Sequence, residues 1–407
     1  MESNVKELLD LVLRWMHLIA GIMWVGNSML FNWLDRNLLK PGDDGYVGGT
    51  NTKKELLDGE IWMVHSGGFY QIEKKRLEPG EMPRVLHWFK WQSYTTWMTG
   101  ISLLVLVYYV GGGFMVDPQV RALSHPTAVA IGVGTLLGGF ITYDLIWRSP
   151  LAKSETVATV VSFGLLAGVV FFLHQFLSGR AAYIHVGALM GTLMAGNVFF
   201  HIIPSQHSLV DATKHGKPQD KLIGLHAKQR SIHNNYLTFP VLFIMLSNHF
   251  PSTYGSKLNY VILGVVMVGG ASVRHFLNIR FTFKPWIWGF AGVFGGTVVL
   301  LFVLLSQRSA AAPVKQDLGA PVDFKVVQSV IRQRCAVCHS ETPSDPVWKV
   351  APNNVKFDTP AEIKAHADRI HARAYVSRTM PLNNQTGITE EERDLIGRWV
   401  LQGAHTE

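Results

Sequence analysis

Cysteine is almost absent from this chain: its 407 residues contain only two, Cys335 and Cys338. A zinc site built on paired cysteines would need a second pair at short spacing, and the chain has none. A thioredoxin-like redox pair would need a βαβ context, which the surrounding sequence does not predict. Both interpretations are therefore disfavoured, and the residue that follows the pair becomes decisive.

A histidine stands directly after the second cysteine, which gives the motif Cys335-Ala-Val-Cys338-His339. C-x-x-C-H is the attachment signature of a c-type haem, in which two thiols bond to the haem and the histidine reaches the iron. Met380 is the predicted sixth ligand, because a thioether raises the reduction potential of a haem used for electron transfer. His371 is the rival ligand. The sequence thus predicts one covalent haem.

Two helices are predicted on either side of these ligands. The pattern over 324–334 is that of a short amphipathic helix running into the motif. A second helix is predicted to begin after Thr389, because Thr389 and Glu392 have the spacing of a capping box. These features predict a class I cytochrome c domain over 324–407, joined to the rest of the chain by a flexible linker over 306–323.

Charged residues are also scarce, at 16% of the chain, whereas hydrophobic residues make up 48%. Apolar runs of about 20 residues recur, and each could cross a hydrocarbon core of about 30 Å. The first run is not expected to be a cleaved signal peptide, since its flank is not basic and its apolar stretch is too long. Residues 1–305 are therefore predicted to be an all-α, polytopic membrane helix bundle of about eight spans: 9–31, 92–111, 127–147, 155–177, 182–203, 235–250, 258–279 and 285–305.

The distribution of positive charge predicts the topology. A c-type haem on the C-terminal domain requires a periplasmic C-terminus, and eight spans then make the N-terminus periplasmic too. The loops assigned to the cytoplasm (32–91, 148–154, 204–234 and 280–284) hold 18 Lys and Arg residues, against three on the other side. A bacterial inner-membrane protein is predicted, and the net charge of +8 does not indicate nucleic-acid binding.

Two cytoplasmic segments are long enough to form structures of their own. In the loop over 32–91, the segments 60–65 and 69–74 flank Ser66-Gly67-Gly68, which predicts a β-hairpin. The segment 204–234 carries four histidines among lysines. It is either a cap over a site on the inner face or an ordinary basic loop.

Ionisable residues inside spans are costly and are candidates for function. Arg14 and His17 lie one helical turn apart in the first span, and Arg274 and His275 are adjacent in the seventh. Histidine pairs on facing helices could hold a non-covalent b-type haem. Alternatively, arginine and histidine could form a pocket for a planar anion. For the histidines nearer the span ends, a location in the lipid headgroup region is as good an explanation as a function: His174, His185 and His249.

Three segments together resemble a known family. They are the opening Trp15-x-His17-x3-Gly21-x2-Trp24-x-Gly26, the stretch from His65-Ser-Gly-Gly-Phe-Tyr-Gln to Leu86-His-Trp-Phe-Lys-Trp-Gln-Ser-Tyr-Thr-Thr-Trp-Met-Thr-Gly100, and the C-x-x-C-H tail. The chain is similar in these to the membrane-integrated, cytochrome c-linked urate oxidases (urate hydroxylases) of bacteria. The resemblance extends over nearly the whole chain.

The resemblance implies oxidation of urate to 5-hydroxyisourate with oxygen from water. Two electrons would pass to the c-type haem and on to the respiratory chain through a soluble cytochrome c or a terminal oxidase, without peroxide release. Arg14 or Arg274 would bind the urate anion, and His17 or His275 would act as the base. A pocket in the outer half, near Arg14 and His17, would let the tail haem take electrons directly.

Two functional alternatives stay open from the sequence. One is a transporter with an appended cytochrome, which leaves the haem unexplained. The other is an electron-transfer subunit that links a b haem or quinol in the membrane to periplasmic cytochrome c, with no substrate chemistry of its own.

Overall fold

The computed structural model is mostly helical and describes most of the chain. The described residues are 3–48, 57–78, 80–110, 114–117, 120–306, 320–345, 348, 350–376 and 378–406. Residues 307–319 of the predicted linker (306–323) lie outside the described residues.

Among the described residues, six helices are long and apolar enough to cross a membrane. They confirm six of the predicted spans by length and composition. The fifth is longer than predicted, because the helix Gly179–Gly196 continues without interruption through a π-helical segment, Asn197–Ile202, into the helix Ile203–Lys214. The helices are α1 (Ser3–Asn37), α3 (His125–Arg148), α4 (Glu155–Phe176), α5 (Gly179–Gly196) with α6 (Ile203–Lys214), α9 (Asn259–Ile279) and α10 (Trp286–Ser306).

The two other predicted spans are helices with different dimensions. Helix α2 (Trp91–Leu104) has 14 residues, about 21 Å at 1.5 Å per residue, and continues as a π-helix over Val105–Tyr109. The sixth predicted span is the second half of α7 (Lys221–Ser247). The first half of this helix is basic, which lowers the mean hydropathy of the whole helix. The predicted loop over 204–234 is therefore wrong in large part, since α6 and the start of α7 occupy most of it.

Serine caps explain where several helices begin. Oγ of Ser178 accepts from the amide of Ala181 at 3.1 Å and donates to the carbonyl of Phe114 at 2.6 Å. Ser124 and Ser154 cap α3 and α4 in the same way. A side chain that satisfies a free amide of the first turn stabilises a helix by about 1 kcal/mol.

Helix α5 lies at the centre of the bundle. Tyr183, Val186 and Met190 are fully buried, and they pack in one core with α2, α3, α4 and α7. Most of the side chains of α1 and α10 are instead exposed and apolar. In a membrane protein these outward faces contact lipid, so exposure of this kind needs no partner.

The predicted hairpin is confirmed, with strands β1 (Leu57–His65) and β2 (Gly68–Lys75) paired antiparallel. Its turn is formed by Ser66 and Gly67, both with positive φ, as a tight hairpin turn requires. Glu60 is buried and attaches the preceding loop: its carboxylate accepts from the amides of Val47 at 2.7 Å and Gly48 at 3.2 Å.

The C-terminal unit has its own hydrophobic core, in which Trp399 and Ile331 are buried. The predicted helix over 324–334 is confirmed as α11 (Phe324–Arg334), and the capping box of Thr389 and Glu392 begins the last helix. The elements between and after them are α12 (Pro360–Ala365), α13 (Ala367–Ile370), a π-helical segment (His371–Val376) and α14 (Glu390–Leu401).

The C-terminal unit contacts one end of the helix bundle. Trp348 and Leu382 pack against the core around α5. Burial raises the pKa of Tyr254, and the charges of Arg180 and of Arg373 in the C-terminal unit act against this rise. We call this the Tyr254 end of the bundle, after the last residue of the short helix α8 (Pro251–Tyr254). Ser149, the residue that follows α3, marks the opposite end.

Candidate functional site

His339 is held by a backbone carbonyl in the C-terminal unit. Its Nδ1 contacts the carbonyl of Val355 at 3.0 Å, which makes Nδ1 the protonated nitrogen and leaves the lone pair on Nε2. Burial lowers the pKa of His339, so the ring is neutral near pH 7. A neutral imidazole oriented through its other nitrogen is the arrangement found in metal-bound histidines.

The two cysteine side chains are free thiols that follow the end of α11. Burial raises the pKa of Cys335 to about 12, and burial and Asp345 raise that of Cys338 to about 12. Reactive redox dithiols have the opposite property, a lowered pKa. The described residues also contain no cluster of three or more His, Cys, Asp or Glu that could hold a metal ion. The raised thiol pKa values are not those of a reactive redox pair, and the assignment of the motif to a haem stays a prediction.

Arg393 positions the loop that carries Met380. Its side chain is 1% exposed and donates to the carbonyls of Ala374 and Met380, the latter at 2.8 Å. The amide of Met380 also donates to the carbonyl of Arg373 at 3.1 Å. His371, the rival ligand, has a buried Nε2 without a hydrogen-bond partner among the described residues. The coordinating nitrogen of His371 is thus free of hydrogen bonds to the described residues, while Arg373 and Arg393 hold the backbone of Met380 in place.

A cationic aromatic cluster lies at the Tyr254 end of the bundle. Nε of Arg180 donates to Oδ1 of Asn248 at 3.0 Å, and its guanidinium lies 4.4 Å from the ring centre of Phe114. The hydroxyl of Tyr108 donates to the same amide oxygen at 3.3 Å. No carboxylate of the described residues pairs with Arg180 within 4.0 Å. This Arg180 cluster has the chemistry to bind a planar anion.

His185 lies beside the Arg180 cluster, with its ring centre 6.4 Å from that of Tyr108. It is fully buried; Nδ1 contacts the carbonyl of Ala181 at 2.8 Å, and Nε2 contacts the hydroxyl of Tyr109 at 3.0 Å. Gly132 is required here, because a Cβ at this position would lie 2.5 Å from Nε2 of His185. The Tyr109–His185 pair is therefore held by close packing of α3 against α5.

A second polar network lies towards the Ser149 end. Asp144 accepts from Nε2 of His201 at 2.6 Å and from Arg230 at 3.0 Å; Arg230 is 4% exposed. Asn197 joins this group to the hydroxyl of Tyr143, to which its Nδ2 donates at 2.9 Å. The ion pair is compensated by further hydrogen bonds, as a buried charge requires.

A cavity of about 920 Å³ lies between α3, α4, α5, α7 and α9. Most of its wall is apolar, formed by side chains such as Leu166, Val169 and Phe172. Its tyrosine, tryptophan and histidine side chains gather near the Ser149 end: Tyr143, Trp147, His233, Tyr236 and His275.

The four predicted catalytic residues fall in two separate places. Arg14 is exposed and pairs with Asp10 of its own helix at 2.8 Å, while Nδ1 of His17 contacts the carbonyl of Thr96 at 2.9 Å. Arg274 is buried, donates to Asn235 at 3.0 Å and, among the described residues, has no carboxylate partner. His275 faces the cavity and contacts the hydroxyl of Tyr236 at 2.8 Å. Their catalytic roles stay predictions.

Sequence reasoning did not find the Arg180 cluster or the Asp144 network. Arg180 lies just outside the predicted span 182–203, although it belongs to the first turn of α5, and Arg230 lies in the predicted loop 204–234, which is helical there. Their partners come from helices far apart in the chain, so no local motif marks them.

The long apolar helices are compatible with a membrane protein, and the helical unit that follows them carries a free C-x-x-C-H motif. The family model of the urate oxidase N-terminal domain matches residues 3–305, and the chain belongs to this family. Family membership indicates an oxidoreductase connected with urate oxidation. No curated protein and no solved structure matches the chain.

Proposed function

We propose that this protein oxidises urate to 5-hydroxyisourate with water as the oxygen source and without peroxide release. The observation that carries the proposal is the presence, in one chain, of a urate oxidase family domain and a C-x-x-C-H unit with an oriented histidine. Urate and one water give 5-hydroxyisourate, two electrons and two protons. The domains are 1–305 for urate oxidation, 306–323 as linker and 324–407 as cytochrome c domain.

The residues of the C-terminal unit suit a covalent c-type haem. Cys335 and Cys338 would form the covalent links, and His339 and Met380 would be the axial ligands. When bound, the haem supplies a one-electron acceptor on the way to the respiratory chain, through a soluble cytochrome c or a terminal oxidase. The protein would cross the bacterial inner membrane eight times, with both termini in the periplasm.

The Arg180 cluster is the best supported place for urate. Electron transfer across the whole hydrocarbon core of about 30 Å would be too long for one step. The C-terminal unit contacts the same end of the bundle at which Arg180 lies. Arg274, towards the Ser149 end, lacks this proximity. Arg14 lies near Tyr108, but it is exposed on α1 and is already paired with Asp10 at 2.8 Å. The proposed urate pocket therefore lies in the outer half, as the sequence predicts, but Arg180 takes the place of Arg14 as the cation that would bind urate.

Each group of this site has a defined task. Arg180 would neutralise the urate anion, and the amide of Asn248 and the rings of Tyr108 and Phe114 would orient its planar ring. His185 is the proposed base. Because it is fully buried, a urate N–H proton would reach its Nε2 through the hydroxyl of Tyr109, which lies 3.0 Å from Nε2. Burial of His185 keeps bulk water away from the site, so that one positioned water molecule would add to urate.

The proposal is tested by adding urate anaerobically to the oxidised, haem-loaded protein in detergent while the haem absorption is recorded. Reduction that requires urate supports it. A haem that dithionite reduces and urate does not would instead favour an electron-transfer subunit.

A further inference from the structure

Two tyrosine–histidine pairs line the apolar cavity. The hydroxyl of Tyr143 lies 2.7 Å from Nδ1 of His233, and the hydroxyl of Tyr236 lies 2.8 Å from Nδ1 of His275. All four side chains belong to the cavity wall near the Ser149 end. The proposed urate chemistry at the opposite end of the bundle uses none of them.

Neighbouring groups fix the hydrogen positions at the first pair. The carbonyl of Met194 can only accept, so the atom of Asn234 that lies 2.9 Å from it is the donating Nδ2. Oδ1 of Asn234 then accepts from Nδ2 of Asn197 at 2.9 Å. The same Nδ2 donates to the hydroxyl oxygen of Tyr143, also at 2.9 Å. Tyr143 must therefore direct its own hydrogen elsewhere.

That hydrogen goes to Nδ1 of His233, which acts as the acceptor. In a neutral imidazole whose Nδ1 accepts, Nε2 carries the remaining hydrogen. Nε2 of His233 has no hydrogen-bond partner among the residues that the structure describes. His233 is thus set to donate one hydrogen bond to a ligand in the cavity.

This arrangement excludes two ligands that the sequence suggested. A histidine whose Nε2 is protonated has no lone pair there for iron, so His233 does not suit a b-type haem. The urate anion does not suit the cavity either, because the wall is mostly apolar and Arg230, behind Tyr143, is already paired with Asp144. A neutral, largely apolar ligand with hydrogen-bond acceptors remains.

The form of the cavity identifies the class of that ligand. Its volume of about 920 Å³ lies in the range of pockets that hold drug-sized molecules, about 300–1,000 Å³. The polar pairs gather at one end, and the wall beyond them towards Phe172 is apolar. His275 is exposed on the outer surface of the bundle, where the membrane would give access. A polar ring with two acceptors and a long apolar tail matches these features.

We propose that this cavity binds an isoprenoid quinone from the membrane. One ring carbonyl accepts the hydrogen on Nε2 of His233, and the second faces the Tyr236–His275 pair. The tail lies along the apolar wall formed by α3 and α4. This binding is independent of the proposed urate oxidation and would hold if that function were wrong.

The test uses a photoreactive azidoquinone with the full-length, haem-loaded protein in phospholipid nanodiscs. A Cβ on Gly138, a cavity residue, meets no atom within 4 Å, so Gly138→Phe fills the cavity without a backbone clash. Gly164→Phe is the matched control: Gly164 also lies in a helix with open space at its Cβ, but is not part of the cavity wall. Labelled peptides are identified by mass spectrometry.

The expected label falls on α3 or on the segment of α7 around His233, and unlabelled quinone competes for it. Gly138→Phe should reduce this label at least tenfold, and Gly164→Phe should leave it unchanged. Tyr143→Phe should weaken binding roughly tenfold, because His233 would lose the donor to Nδ1 that keeps its Nε2 protonated for the ligand. Equal labelling of both glycine variants would overturn the proposal. So would a non-covalent haem that is extracted from the wild type and absent from Gly138→Phe.

Discussion

Arg180 and Asn248 are joined by a hydrogen bond of 3.0 Å between Nε and Oδ1, which links the start of α5 to the end of α7. This contact leaves the rest of the guanidinium beside Phe114, at the bundle end that the C-terminal unit contacts. Arg180, which pairs with no carboxylate in the part of the chain that the structure describes, lies in an aromatic environment, and this best explains how a planar anion would be held close to a haem.

Replacing Arg180 should therefore weaken urate oxidation more than replacing the other candidate arginines. Arg180→Ala is expected to lower kcat/KM for urate roughly 30-fold, which corresponds to about 2 kcal/mol for a lost charge-assisted hydrogen bond. Arg14→Ala and Arg274→Ala are the comparisons, measured by urate-dependent haem reduction. Normal turnover in Arg180→Ala with loss in Arg14→Ala would return the site to α1.

Covalent haem attachment should depend on both cysteines. We expect Cys335→Ala with Cys338→Ala to abolish haem that stays with the denatured polypeptide, because no thiol remains to bond to it. Peroxidase staining of haem on denaturing gels measures this directly. Detection of the variant in the membrane fraction controls for expression. Haem that survives denaturation in the double variant would contradict the assignment.

The identity of the sixth ligand is a separate question, between Met380 and His371. Met380→Ala should lower the reduction potential, since a thioether ligand raises it, while His371→Ala should leave it unchanged. Redox titration of the haem band in the purified protein decides between them. The opposite pattern would make His371 the ligand, for which its unpartnered Nε2 is available.

Arg393 should stabilise the C-terminal unit through the loop of Met380. Arg393→Met leaves the carbonyls of Ala374 and Met380 without their donor, and we expect a loss of roughly 2–6 kcal/mol, about 1–3 kcal/mol for each carbonyl. Denaturant unfolding followed at the haem band measures the loss. Arg369→Met, at an exposed position of the same unit, should change stability little. Equal stability of the two variants would show that Arg393 has no such role.

The hairpin should loosen in acid because of Glu60. Burial alone would raise the pKa of this carboxyl, but hydrogen bonds from Val47, Gln71 and Gly48 outweigh burial and lower it. A lowered pKa in the folded state means that the stabilisation is present above the ordinary carboxyl pKa of about 4.3. It is lost as the pH falls below that value.

Hydrogen exchange of the Val47 and Gly48 amides, corrected for its intrinsic pH dependence, measures this effect. In the wild type, protection of these amides should decrease as the pH is lowered. In Glu60→Gln it should be weak at every pH. Glu81→Gln, at an exposed position of the following loop, should behave as the wild type. Protection that is independent of pH in the wild type would contradict the role of Glu60.

Local patterns predicted much of the fold, because they depend on residues near in sequence. The hairpin turn at Ser66-Gly67, the helix over 324–334 and the cap at Thr389 each follow from a few adjacent residues. Hydropathy predicted eight spans, and six of them are long apolar helices among the described residues. It did not predict that α7 begins at Lys221, since the basic first half of that helix has the composition of a loop.

The polar sites could not be predicted in this way. Asp144, His201 and Arg230 meet from three helices, and the tautomer of His233 depends on a chain of contacts that ends at the carbonyl of Met194. No spacing in the sequence encodes these contacts, because they follow from helix packing. Arg14 and His17 lie one helical turn apart in the sequence, which suggested a joint role. In the structure Arg14 pairs with Asp10, and His17 contacts Thr96.

The most direct test of the central claim is anaerobic addition of urate to the oxidised, haem-loaded protein with the haem spectrum recorded. The account predicts prompt appearance of the reduced c-type band, with 5-hydroxyisourate formed in the ratio of one per two electrons and no peroxide. A haem that stays oxidised with urate, but is reduced by dithionite, would contradict it.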